Sequence, residues 1–124
     1  MIFRNLDFLK RDYFTGVVTS PNYPDDYPNG LIKTETIQVE QGLALRLEFE
    51  DIDIQYLGDS PCHWDHLKIR DGDNTILMKE TCGSIKPPNI TSLTNIVHID
   101  FATDNYTTRT GWSIRWSAVI PGAT

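Results

Sequence analysis

The strongest constraint in this sequence is its hydrophobic rhythm. Apolar residues recur at every second position in short runs, turn clusters break the runs, and no helical apolar period of useful length occurs. Leu43, Leu45, Leu47 and Phe49 fall on one face of an extended strand, after which the phase shifts and Ile52 and Ile54 carry the apolar side. A phase shift without a turn signal predicts a bulge or bend near Glu50-Asp51. Gly16-Val-Val-Thr-Ser20 is short and β-branched, and Pro21, Pro24 and Pro28 forbid a helix in the loop that follows. Thr36 to Glu40 alternates and is closed by a Gln41-Gly42 turn. Leu67 and Ile69 make the next strand, Asp71-Gly-Asp-Asn74 a hairpin turn, and Thr75 to Met78 the return strand. Val97, Ile99 and Phe101 alternate, as do Trp112, Ile114 and Trp116. Short strands separated by turn clusters predict an all-β fold, an antiparallel β-sandwich.

A length of 124 residues fits one domain and suffices to bury a core. The net charge of −6 argues against nucleic acid, whose phosphates need a basic face, and suits cationic partners or metal cations. No run of about 18 apolar residues is present, so no membrane insertion is expected. Residues 1–15 read as an N-terminal extension or an added segment. Met1 to Phe14 lacks the continuous apolar stretch of a signal peptide. The tail 120–124, Ile-Pro-Gly-Ala-Thr, reads as the start of a linker.

Several residue groups invite a chemical reading. Cys62, His63, Asp65 and His66, with His98 elsewhere, contain zinc-ligand types, but on a strand His63 and Asp65 face one way and His66 the other. Ordinary surface or half-buried histidines are the better account. No Gly-x-Ser-x-Gly or His-Glu-x-x-His motif occurs, and the acids from Glu48 to Asp53 alternate outward as a solvated face, so the chain is not expected to be an enzyme. Tyr23, Tyr27, Tyr56 and Tyr106 lie in loops, where they can anchor protein contacts, stack on sugars or staple the proline-rich loop. Trp64, Trp112 and Trp116 have strand spacing and are expected to fill the core. The two cysteines alone permit either free thiols in a cytosolic protein or a disulfide. The sequons Asn89-Ile-Thr91 and Asn105-Tyr-Thr107 tilt towards an extracellular setting, with Asn89 and Asn105 as glycosylation candidates.

Four motifs occur in order: Cys62-His-Trp-Asp-His-Leu-Lys-Ile-Arg-Asp-Gly72, Thr81-Cys-Gly-Ser-Ile-Lys-Pro-Pro-Asn-Ile90, Ile99-Asp-Phe-Ala-Thr-Asp-Asn-Tyr106 and Thr110-Gly-Trp-Ser-Ile-Arg-Trp116. With the entry segment Ser20-Pro-Asn-Tyr-Pro-Asp-Asp-Tyr-Pro28, the chain resembles a CUB domain over residues 16–119. It is similar to the calcium-binding CUB domains of complement-type and tolloid-like proteases. The resemblance implies a jelly-roll-like sandwich and a Cys62–Cys82 disulfide, whose loop closure would contribute about 3 kcal/mol. The family's earlier cysteine pair is missing, its second position falling near Lys33, and the usual tryptophan two residues later is Glu35.

The resemblance also implies a site at one end of the sandwich. Position by position, the calcium ligands would be Asp65 and Asp104, with Gln55 where the family has glutamate and oxygens near Tyr106 and Thr107 completing the shell; Tyr27 would orient the acids. Gln55 brings an amide oxygen but no charge, and calcium affinity tracks ligand charge. Asp53 or Asp59 could compensate. The function implied is a non-catalytic extracellular protein-interaction module, secreted or part of an ectodomain, whose Ca2+ fixes the loops while acidic ligands accept a partner's Lys or Arg. The alternatives are a carbohydrate-binding, spermadhesin-like module engaging a glycan, or a metal-independent structural or oligomerisation domain.

Overall fold

A computed structural model of the chain describes residues 14–58 and 62–121. Eight strands make up its regular structure: β1 (Thr15–Thr19), β2 (Ile32–Gln38), β3 (Ala44–Asp53), β4 (His66–Asp71), β5 (Ile76–Thr81), β6 (Ile90–Thr91), β7 (Ile96–Ala102) and β8 (Gly111–Val119). They form two four-stranded antiparallel sheets, ordered β1-β8-β3-β6 and β2-β7-β4-β5. The expected β-sandwich is the observed fold.

Period-two patterning decides which side chains face inward. In β4, Leu67, Ile69 and Asp71 are buried, and in β7, Val97, Ile99 and Phe101 are. These face Leu45, Leu47, Ile114 and Trp116 across the core, which forms one cluster. In β3 the pairing with β8 slips between Phe49 and Asp51, and beyond the slip Ile52 and Ile54 are buried. The phase shift in the sequence is therefore a β-bulge, and it turns the end of β3 so that Gln55 is also carried inside.

The hairpin after β4 forms at Asp71-Gly-Asp-Asn74, with Asn74 in the left-handed region at φ 71° and Asn74 N–H donating to Asp71 O at 2.8 Å. The return strand lies at Ile76–Thr81, later than the expected Thr75 to Met78, and its pairing with β4 shifts register twice. Asp71 is more than a turn residue. It is buried and accepts hydrogen bonds from the Gly72, Leu93 and Thr94 amides at 2.8, 2.6 and 3.2 Å and from the Thr94 hydroxyl. Burial alone would push its carboxyl up, but these donors hold it below the usual carboxylate range. One acid thus ties the β4–β5 turn to the chain entering β7.

Two further points differ from or qualify the sequence reading. Trp112 and Trp116 are core residues, but Trp64 is 43% exposed. It belongs to the irregular segment ahead of β4, where strand spacing has no meaning. At the expected position of the second missing cysteine, Lys33 sits opposite Phe101, and at that of the tryptophan, Glu35 sits opposite Ile99 in the β2–β7 ladder; Lys33 Nζ lies 3.2 Å from Glu35 Oε2. An edge-strand ion pair stands where the resemblance leads one to expect a cysteine and a tryptophan.

Candidate functional site at one end of the sandwich

Three loops meet where β3 ends, β4 begins and β7 ends. The first ordering element is Tyr27, which leaves the proline-rich loop and is buried edge-on against Phe101, ring centroids 5.0 Å apart. Phe101 in turn meets Trp112 edge-on at 5.8 Å, so the ring is held by core packing. Its hydroxyl donates to Asp65 Oδ2 at 2.6 Å and accepts from the Gln55 amide at 3.1 Å. The other oxygen of Asp65 accepts from the Asp104 amide at 2.7 Å. A single buried carboxylate and a single phenol therefore join all three loops.

The β7–β8 loop is fixed from its other side. The Thr103 hydroxyl donates to Pro28 O at 2.9 Å and accepts from the Leu31 amide at 2.8 Å. Gly30, at φ 65°, donates its N–H to Asp104 O at 2.7 Å. The left-handed turn at Gly30 is what brings that amide to the Asp104 carbonyl. Asp104 Oδ1 accepts from the Tyr106 amide at 3.0 Å.

The electrostatics favour a cation. Burial lifts the Asp65 carboxyl above its ordinary range, two hydrogen bonds oppose that lift, and the nearby Asp104 charge adds to it. Burial and the hydrogen bond to Asp65 together raise the Tyr27 phenol, so it stays a donor. Gln55 Oε1 and Asp104 Oδ2 are buried and have no hydrogen-bond partner. Both residues line one pocket of about 280 Å³ with Leu57, Trp64 and Tyr106. Two buried acceptors without donors, beside a buried carboxylate, fit a hard oxygen-seeking cation. Gln55, at 6% exposure, would contribute its amide oxygen, and Asp65 and Asp104 the charge.

The structure thus brings Tyr27, Gln55, Asp65 and Asp104 together, with Tyr106 on the pocket wall. Thr107 is exposed in the same loop and does not line the pocket. Asp53 turns elsewhere: Arg109 Nε lies 4.0 Å from its carboxylate, the Thr110 hydroxyl donates to it at 3.4 Å, and it borders a different pocket, beside Cys62 and Cys82. Asp59 lies outside the described residues. Among the described residues, no group of three His, Cys, Asp or Glu side chains converges, so any ion here draws on amide or carbonyl oxygens as well as acids. Cys62 is bonded to Cys82, at S–S 2.08 Å, and is no thiolate ligand. Trp64, expected in the core, and Leu57, to which the sequence assigns no role, are the pocket residues that sequence reasoning misses. Their only signal is an apolar side chain flanking an expected ligand.

Comparison with known proteins agrees with this architecture. The family profile described as "CUB domain" matches residues 10–116. The chain belongs to the CUB domain family. It is 37% identical over 105 residues to mannan-binding lectin serine protease 1 of Mus musculus, covering 84% of this chain and 15% of that protein. It is 37% identical over 112 residues to cubilin of Homo sapiens, covering 88% of this chain and 3% of that protein. A solved structure described as the MASP-1 CUB2 domain bound to Ca2+ superposes with a TM-score of 0.77 at 33% identity, covering 83% of this chain and 91% of that one. The chain thus spans only a small part of the curated relatives it matches. Among the described residues, no helix is long and apolar enough to cross a membrane.

Proposed function

We propose that this CUB domain is a non-catalytic extracellular interaction module that binds one calcium ion at the loop end and engages a basic side chain of a protein partner. The observation that carries this reading is the pair of unpartnered buried oxygens, Gln55 Oε1 and Asp104 Oδ2, facing one pocket beside Asp65. The Ca2+-bound CUB neighbour supports it. Calcium, when bound, would neutralise the acids and draw the three loops to one centre. The chain's own residues would do the rest. Tyr27 orients Asp65, Gly30 and Thr103 fix the Asp104 loop, and Asp104 lends its carboxylate to the pocket lining. A lysine or arginine entering there would meet Asp104 with its charge, while its methylene stem lies against Leu57, Trp64 and Tyr106.

The test is a melting curve with and without millimolar calcium. A ligand that binds only the folded state raises the midpoint by mass action. An unchanged midpoint across the titration would leave the calcium-centred reading without support. A second reading, carbohydrate binding, is favoured by the exposed Trp64 and Tyr106, and a glycan array separates it from the first.

A further inference from the structure

Asn105 opens the sequon Asn105-Tyr106-Thr107, directly beside Asp104. All three sequon residues are exposed, and they lie in the irregular stretch between β7 and β8. The side chain is folded back over the neighbouring loop: a Cβ placed on Gly30 would meet Asn105 Oδ1 at 2.8 Å. In the chain, Asn105 stands between Asp104 and Tyr106, both of which line the pocket of the candidate site. The next ring in the chain, Tyr106, lines the pocket and meets Trp64 edge-on at 6.5 Å.

We infer that Asn105 carries an N-linked glycan that covers the Trp64–Tyr106 side of the pocket and decides whether this face is open to a partner. The inference rests on the extracellular reading above. The donor is a lipid pyrophosphate-linked oligosaccharide. Asn105 Nδ2 bonds to C1 of the first sugar, the C1–O bond to the pyrophosphate breaks, and one amide proton leaves with the transferase base. The second sequon supplies an internal control. Asn89 is also exposed, but it precedes β6, whose Ile90 and Thr91 pair with Leu47 and Arg46 in the first half of β3, away from Gln55 at its exit. The same modification there leaves the pocket uncovered.

Trp64 reports the outcome directly, because Trp112 and Trp116 are 1% and 2% exposed and only Trp64 is open to a dissolved quencher. The chain, its Asn105→Gln variant and its Asn89→Gln variant are secreted from mammalian cells behind a cleavable leader, and the unmodified chain is made in bacteria. Glycopeptide mass spectrometry should find sugar on Asn105. Acrylamide quenching should be weakest for the glycosylated chain and for Asn89→Gln, and should rise in Asn105→Gln to the level of the bacterial protein. Retention on lysine-agarose with calcium should follow the same order. A bare Asn105, or a glycosylated chain quenched as strongly as Asn105→Gln, overturns the inference. If the sugar-free proteins fail to bind lysine-agarose, the basic-partner reading is what fails, while mass spectrometry and quenching still decide the glycan.

Discussion

The Tyr27 hydroxyl stands 2.6 Å from Asp65 Oδ2 while accepting the Gln55 amide at 3.1 Å, so one phenol bridges the acid that opens β4 and the residue that leaves β3. Both Tyr27 and Asp65 are buried. Tyr27→Phe keeps the ring packed on Phe101 but removes both hydrogen bonds, leaving a buried carboxylate oxygen without this donor. Hydrogen bonds to charged groups contribute about 1.5–3 kcal/mol, so the variant should lose about that much stability in urea titration. A loss within error of zero would mean the bridge does not order these loops.

Acid should weaken the fold through carboxylates remote from the site. The Arg70 guanidinium, bonded at 2.6 Å, holds Asp100 below the usual carboxylate range, with the Thr34 hydroxyl also donating at 2.7 Å. Asp71 is held low by its ring of donors. A carboxyl whose folded pKa lies below its unfolded value, about 3.9, stabilises the fold above that value and loses the contribution as pH falls through the folded pKa. The contribution of these two acids should therefore be level near neutrality and decline below about pH 4. In Asp100→Asn the decline should be shallower, as read by urea midpoints across that range.

Reduction of Cys62–Cys82 should cost about 3 kcal/mol in the chain-entropy model for a loop of this size. Denaturation with and without a thiol reductant measures it. Equal curves would show that the paired backbone hydrogen bonds between Ile54 and Gly83, rather than the covalent link, hold the β5 exit in place.

What could be read from sequence divides along a physical line. Leu43 to Ile54 disclosed its strand, its bulge and its buried face, because a period of two is a local property. Pairing of β1 with β8, from Thr15 opposite Ser117 to Thr19 opposite Ser113, joins opposite ends of the chain, and no local pattern encodes it. Asp71 was readable as a turn former, but its bonds to Leu93 and Thr94 were not, since its partners lie 22 and 23 residues away. Strand spacing points Trp64 to the core, but that spacing holds only inside strands, and Trp64 lies ahead of β4. Tyr27, Asp65 and Asp104 are singled out only by the family resemblance, whereas composition alone offers scattered acids.

Asp104→Asn tests the charge at the pocket directly. The amide keeps the oxygen that accepts from the Tyr106 backbone while removing one formal charge from the candidate shell. Because calcium affinity follows ligand charge, any calcium-dependent rise in melting temperature should fall sharply or vanish. A rise equal to that of the unaltered chain would place the ion elsewhere.

Gln55→Glu makes the opposite change at the neighbouring position. Gln55 Oε1 is buried without a partner and shares its pocket with Asp104. A carboxylate there adds a third charge to the shell, and such charge counts tune calcium sites over orders of magnitude. Binding measured by calorimetry should tighten. The calcium-free variant should be less stable than the parent, because three acids would then face one another at short range in a buried setting. The two effects have one cause and opposite signs, so seeing both in the same variant is a stronger result than either alone. Unchanged affinity with an intact fold would remove Gln55 from the shell and return attention to Asp59, since Asp53 is engaged by Arg109 and Thr110. If neither form binds calcium, the basic-partner mechanism loses its anchor, and a metal-independent contact surface built on Leu57, Trp64 and Tyr106 becomes the better account of this end of the sandwich.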